Sequence, residues 1–146
     1  FAVSAHSRGY TVFHADATAL PFEGDQFSYV LCTEVVNQHV DASRLLEELA
    51  RVCTVGGLVI LSTTNRASLL RELWKARAMA LRLERMPYGS RSCAAVVGEA
   101  RRFGLHLREV AWLLSPSRSL AFSKSPRSVL SPLATNFFIL FEKRPL

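Results

Sequence analysis

The stretch FSYVLCTEVVNQHVDASRLLEELARVCTVGGLVILSTTN, residues 27–65, decides the fold. It opens on one mostly apolar run, residues 27–33, and closes on another, residues 58–63. Neither run alternates cleanly, which is the pattern of strands buried on both faces, as in parallel sheets. Between them Leu45, Leu46, Leu49, Val52 and Cys53 recur at helical spacing, with Arg44, Glu47, Glu48 and Arg51 expected to face out. Asp41 is placed to cap that helix by accepting backbone N–H bonds. Gly56 is expected to stop it in a left-handed turn. Strand, helix and strand with tight turns make a βαβ unit.

Outward from this unit, residues 11–14 (TVFH) read as a further short strand. Downstream, residues 67–86 read as a basic helix with a broad Leu/Trp face, and residues 92–103 as another helix stopped by Gly104. Strands are expected at 105–113 and 136–142. Between them, residues 115–132 hold seven Ser, three Pro, three basic and no acidic residues. So long a connection reads either as a functional lid or as an irregular loop.

Composition narrows the class. The chain has 146 residues, 49% hydrophobic and 21% charged, enough for a sizeable core. No apolar run approaches the roughly 18 residues needed to span a bilayer, and no signal peptide is visible. Cys32, Cys53 and Cys93 are too few and too far apart for a disulfide framework or a zinc signature. They read as buried filler in a reducing, cytoplasmic compartment, and no metal site is expected. The net charge of +6 is unevenly spread. Residues 1–65 hold three basic and seven acidic side chains, whereas residues 66–146 hold fifteen and five. A basic half suggests either an anionic partner or a solvated surface.

Three segments in order, HADATALPFEGDQFSYV (14–30), CTEVVNQHV (32–40) and ELARVCTVGGLVILSTTN (48–65), resemble the class I S-adenosylmethionine-dependent methyltransferases. The likeness is to the small-molecule branch that includes the ubiquinone and menaquinone biosynthesis enzymes. It implies an α/β, Rossmann-like sheet whose seven strands run in the order three-two-one-four-five-seven-six, mostly parallel with an antiparallel last strand. The matched residues would form strands three to seven. The resemblance also implies the cofactor, S-adenosyl-L-methionine. Asp16 would accept from the adenine amine, the Ala17 N–H would donate to an adenine ring nitrogen, and Leu20, Pro21 and Phe22 would wall the pocket. Thr33 would touch the methionine or ribose portion. Glu34 would bond a polar acceptor or serve structurally. His39 would take a proton from the acceptor, or pack against the sheet as a helix-entry residue.

Some family features are absent. Ser28 stands where the pattern has Asp, and Val55 where it has Pro. No glycine-rich loop and no acidic residue after a second strand precede residue 14. The expectation is therefore a partial methyltransferase domain, residues 1–146, with a cofactor-side half (1–65) and a basic acceptor-side half (66–146). About 60–80 residues of the domain would lie upstream. Strand three would then lack its neighbour and strand four would become a sheet edge. Function is expected as methyl transfer to a small molecule of anionic or lipidic character, by a longer enzyme of which this part alone is inactive. One rival reading is a non-catalytic remnant acting through its basic surface. Another is an RNA methyltransferase, although the Asn/Asp-Pro-Pro-aromatic motif of base-amine methyltransferases is replaced here by Cys32-Thr33-Glu34-Val35.

Overall fold

A computed structural model describes residues 8–36, 41–66, 68, 69, 72, 73, 76, 91–114, 120–127 and 131–146. Its first strand, β1 (Phe27–Thr33), leads into helix α1 (Ala42–Val52) and strand β2 (Cys53–Thr64). β1 and β2 pair in parallel, with Tyr29 opposite Leu58 and Thr33 opposite Ser62. This is the expected βαβ unit. Asp41 caps α1 by accepting from the N–H groups of Ser43 (3.0 Å) and Arg44 (3.3 Å), a contact worth about 1 kcal/mol. Leu45, Leu46, Leu49, Val52 and Cys53 are buried, as their spacing requires.

The end of α1 corrects the sequence reading. The helix stops at Val52, and Cys53 is already extended (φ −80°, ψ 136°). Gly56, at φ +79°, serves the bulge that β2 makes against β1 between the Phe27–Cys53 and Tyr29–Leu58 pairs. β2 needs the extra residues there because only Ser28 lies opposite them.

Three more strands complete one sheet in the order β1-β2-β5-β3-β4. β3 is Leu105–Leu114, β4 is Leu120–Ser123 and β5 is Ala134–Lys143. β5 runs antiparallel to both its neighbours, β2 and β3. Helix α2 (Cys93–Ala100) precedes β3; Ser92 caps it, and Gly104 (φ +75°) provides the left-handed stop after a short 3₁₀ turn, as expected.

Helices α1 and α2 touch each other and cover the same side of the sheet. Under them lie Val59 and Leu61 of β2, Phe137, Ile139 and Phe141 of β5, and Val110 and Trp112 of β3, all fully buried. Side chains that alternate to the other side are open at the margins: Tyr29 is 75%, Leu31 69% and Phe122 64% exposed. Cys32, Cys53 and Cys93 are unpaired and buried. Burial pushes the Cys32 thiol up to about 11 and the Cys93 thiol up to about 12, so neither forms a thiolate near neutrality.

Two further expectations are corrected. Residues 11–14 form no strand; all four are exposed, and no described strand lies beside them to share a ladder. β-propensity does not make a strand without a partner. Among the described residues β1 is accordingly an edge of the sheet. Conversely, the Ser/Pro-rich stretch contains β4, which pairs with β3 from Leu113–Leu120 to Val110–Ser123. Most of the basic helix expected at 67–86 lies outside the described residues. Its start is described: Ser68 is buried and its carbonyl accepts from the Glu72 N–H (3.2 Å).

Buried Asn65 joins several segments at the end of β2. Its Nδ2 donates to the carbonyls of Ser131 (2.7 Å) and Ala134 (3.0 Å), and its N–H donates to Thr135 O (2.8 Å). It also bridges to Arg91, and its carbonyl accepts from the Ser68 N–H (3.4 Å).

Two glycines should respond oppositely to alanine. At Gly57 a Cβ would sit 2.8 Å from the Thr54 carbonyl oxygen and the Cys53 sulfur, so Gly57→Ala should cost about 1–3 kcal/mol. At Gly98, inside α2, a Cβ meets nothing within 4 Å, so Gly98→Ala should stabilise by about 0.5–1 kcal/mol. Urea unfolding midpoints of the two variants check both signs.

Candidate functional site

In open α/β sheets ligands bind beyond the carboxyl ends of the parallel strands. Here that edge is formed by the ends of β1 and β2. Beside β1 lies a groove of about 430 Å³, lined among others by Ala17, Leu20, Tyr29, Leu31, Thr33 and Val35. A second cavity, about 280 Å³, opens at the opposite edge against Val55, Phe103, Lys143 and Leu146. It sits at the start of β2, away from the carboxyl ends, and gathers none of the expected site residues.

One wall of the groove is an irregular loop, residues 16–22. Its backbone groups have no ladder and must be satisfied otherwise. Asp16 closes its first turn: Oδ1 accepts from the Thr18 N–H and the Thr18 hydroxyl, each at 2.8 Å, and Asp16 O accepts from the Ala19 N–H at 3.1 Å. The Thr18 backbone bond, then its hydroxyl, holds the Asp16 carboxyl below its ordinary value. Helix α1 supplies the rest. Glu48 Oε2 accepts from the Leu20 N–H (2.8 Å). Arg51 donates through Nη1 to Phe22 O (2.8 Å) and through Nη2 to Leu20 O (3.1 Å). The two side chains also bind each other, Arg51 Nε to Glu48 Oε1 at 2.7 Å and Nη2 to Oε2 at 2.8 Å. Phe22 packs edge-on against Phe13 and Phe27, with centroids 5.1 and 5.0 Å apart.

This clamp corrects the expectation that Glu48 and Arg51 simply face solvent. Their i, i+3 spacing signals an ion pair. It does not signal that the pair holds a loop about thirty residues away in sequence. A planar guanidinium with several donors suits that task, since it serves a carboxylate and two carbonyls at once.

The other wall is β1 and its exit. Thr33 is exposed and pairs with Ser62. Glu34 follows at φ +58°, a left-handed conformation that costs a residue other than glycine about 1–3 kcal/mol. Its N–H donates to Ser62 O (2.9 Å). Its Oε1 accepts from Ser62 Oγ and Asn136 Nδ2, each at 3.2 Å. Three strands therefore converge on one carboxylate.

Of the expected site residues, Ala17, Leu20 and Thr33 line the same groove. Asp16 stands exposed at the head of the same loop, with one carboxylate oxygen engaged by Thr18. His39 lies outside the described residues. Among the described residues no three metal-ligating side chains converge, and no helix is long and apolar enough to cross a membrane.

Comparison with known proteins agrees with this architecture. A family model described as a methyltransferase domain matches residues 2–61. No curated protein matches the sequence. Among solved structures, an S-adenosylmethionine-dependent methyltransferase from Thermotoga maritima, described as a possible histamine N-methyltransferase, superposes with a TM-score of 0.73 at 19% identity. That alignment covers 96% of this chain and 67% of the other. A putative sarcosine dimethylglycine methyltransferase from Galdieria sulphuraria gives 0.61 at 14% identity, over 97% and 64%. A geranyl diphosphate methyltransferase, solved with geranyl diphosphate and sinefungin, gives 0.59 at 14% identity, over 88% and 51%. The chain thus has the α/β methyltransferase fold and spans about two thirds of the length of the first of these structures.

The clamp should be sensitive to acid. Hydrogen bonding from Arg51, joined by the Leu20 N–H and opposed by burial, holds the Glu48 carboxyl below its ordinary 4.5. The folded state therefore binds this proton less tightly than the unfolded state. Its stabilisation is fully present above pH 4.5 and is lost as pH falls through the lower folded value. Protection factors of the amides between Leu20 and Gln26, each taken against the intrinsic rate at the same pH, should fall on acidification below 4.5, and Glu48→Gln should flatten that response. Arg51→Lys, which keeps the charge but loses the fork, should speed the same amides about tenfold or more at neutral pH. The amides of β5 should not change.

Proposed function

We propose that this chain carries out transfer of a methyl group from S-adenosylmethionine to a small-molecule acceptor, as the later part of a longer enzyme. The observation that carries the proposal is the convergence of Ala17, Leu20 and Thr33 on one groove, which runs along β1 from Phe27 to Thr33. Motif position alone singles out the same three residues. The match of residues 2–61 to the methyltransferase-domain model supports the same reading. We read β1, β2, β5 and β3 as strands four, five, seven and six of the methyltransferase sheet, a reading supported by the antiparallel place of β5 between β2 and β3.

The donor set suits the cofactor. The exposed Asp16 carboxylate is an acceptor for an exocyclic amine, and Thr18, by fixing Oδ1, orients it. Ala17 and Leu20 offer a small, apolar wall, held at a fixed distance from the sheet by Glu48 and Arg51. Thr33 presents a hydroxyl where β1 ends. When bound, S-adenosylmethionine supplies a methyl group already activated on sulfur, so little covalent chemistry is left for the protein. The task of these side chains is to hold the acceptor's nucleophilic atom in line with that methyl and to exclude water. The acceptor atom contributes the electron pair for the new bond, the sulfur retains the pair of the old one, and a proton bound to the acceptor atom leaves to a base or to solvent. His39 is the residue we assign to that proton where the acceptor needs a base. The basic half, residues 66–146, is assigned to the acceptor side, where it suits an anionic or lipidic portion. Three unpaired cysteines support a reducing, cytoplasmic setting.

Calorimetric titration with S-adenosylhomocysteine tests the reading. The expected result is saturable binding in the micromolar range, weakened about tenfold or more by Asp16→Ala, the range for a hydrogen bond to a charged group. Absence of binding by the full-length protein would favour the non-catalytic remnant instead.

A further inference from the structure

The cavity of about 280 Å³ at the start of β2 shares no lining residue with the groove beside β1, yet two of its walls hold that groove together. Arg51 and Lys143 both line the cavity. Arg51 donates to Leu20 O and Phe22 O, and Leu20 and Phe22 line the groove. Lys143 Nζ donates to Asp25 Oδ1 at 2.7 Å, and the Asp25 N–H donates to Arg51 O at 2.9 Å. The segment from Leu20 to Asp25 thus hangs on two cations that face a second cavity.

Counting donors shows what the cavity can accept. A guanidinium has five N–H groups. Glu48 takes two of them and the Leu20 and Phe22 carbonyls one each, so among the described residues one N–H of Nη1 is left over. An ammonium has three, and Lys143 gives one to Asp25 and one to the Cys53 carbonyl, leaving one more. A carboxylate can accept from both without displacing an existing partner. Glu48 and Asp25 keep their bonds, and the ligand uses spare donors rather than bare charge. Arg144 is a third cation on the lining and Glu47 the one carboxylate residue, while Val55 and Phe103 give an apolar wall. We propose that this cavity binds a small carboxylate with an apolar body and, through Arg51 and Lys143, tightens the loop that walls the groove. The inference rests on the methyl-transfer reading only for what the groove then holds. A ligand that bridges the two cations favours the clamped loop over the released one, so it raises affinity in the groove, and a groove ligand raises its affinity by the same factor.

Phenylacetate and phenethylamine, which share an apolar body and differ in charge, test it by NMR titration of the full-length protein. Phenylacetate should shift the amides of Val55 and Phe103 and bind about tenfold more tightly than phenethylamine. At saturation it should raise the protection factors of the Leu20 to Gln26 amides about fivefold. Val55 is 55% exposed, so it can be changed without disturbing the core. Val55→Glu sets a second carboxylate at the cavity and should weaken phenylacetate about tenfold, whereas Val55→Gln, of the same size and neutral, should stay within about twofold of the wild type. Missing shifts at Val55 and Phe103 overturn the proposal, as do equal binding of the two probes, unchanged protection at saturation, or equal weakening in both variants. S-adenosylhomocysteine, titrated into the same samples, separates this inference from the one it rests on. If it binds with an affinity that phenylacetate leaves unchanged, the coupling is overturned and the methyl-transfer reading stands. If it fails to bind while phenylacetate still protects the loop, the methyl-transfer reading falls and the cavity is supported.

Discussion

The sheet depends on a single insertion. After β2 the chain leaves a gap, forms β3 beyond it, and only later returns to place β5 in between. A strand in that position needs partners on both edges and cover for its alternate side chains. β5 has both: seven registered pairs join it to β2, from Leu58–Glu142 to Thr64–Asn136, and β3 occupies its other edge. Phe137, Ile139 and Phe141 supply the largest apolar group at the centre of the core. Without β5 the parallel β1–β2 pair and the β3–β4 hairpin would be separate two-stranded pieces, which are marginal in water. Lys143 closes the far end of this strand, bonding the Asp25 carboxylate and the Cys53 carbonyl, each at 2.7 Å.

From that frame the site follows by two different devices. The strand side is rigid because ladder pairs fix Thr33 opposite Ser62. The loop side has no ladder, and its order comes from two side chains of α1. Charged residues outside a core usually contribute little when solvated. Glu48 and Arg51 are an exception by role, since they satisfy backbone groups of residues 20 and 22 that would otherwise compete for water. The groove is thus as wide as the distance between a strand and a helix that pack on each other. Its dimensions are set by the core.

The sequence made the local code readable and left much of the pairing code hidden. Helix α1 was recoverable because its apolar spacing, its Asp41 cap and its burial all agree. Residues 11–14 have strand composition yet form none, since a ladder depends on a neighbour that composition does not report. The opposite error concerns β4: Ser and Pro dominate residues 115–132, and the short Leu-Ala-Phe alternation that pairs with β3 was obscured by them. Gly56 was recognised as left-handed, correctly, but assigned to the helix when it belongs to the bulge. Motif position singles out Ala17, Leu20 and Thr33, which line one groove. The clamp and the Glu34 clasp leave no such signal, because each joins residues 28 to 102 positions apart.

Asn65 makes this fold intolerant of the exchange of a single atom. At most surface positions, replacing an amide by a carboxylate adds a charge and little else. Here the amide nitrogen is a buried donor to two carbonyl oxygens, those of Ser131 and Ala134. A carboxylate in its place would turn both bonds into oxygen–oxygen contacts around a charge that has no water to solvate it. The damage would be felt first where β2, the Ser68 segment and the entry to β5 meet.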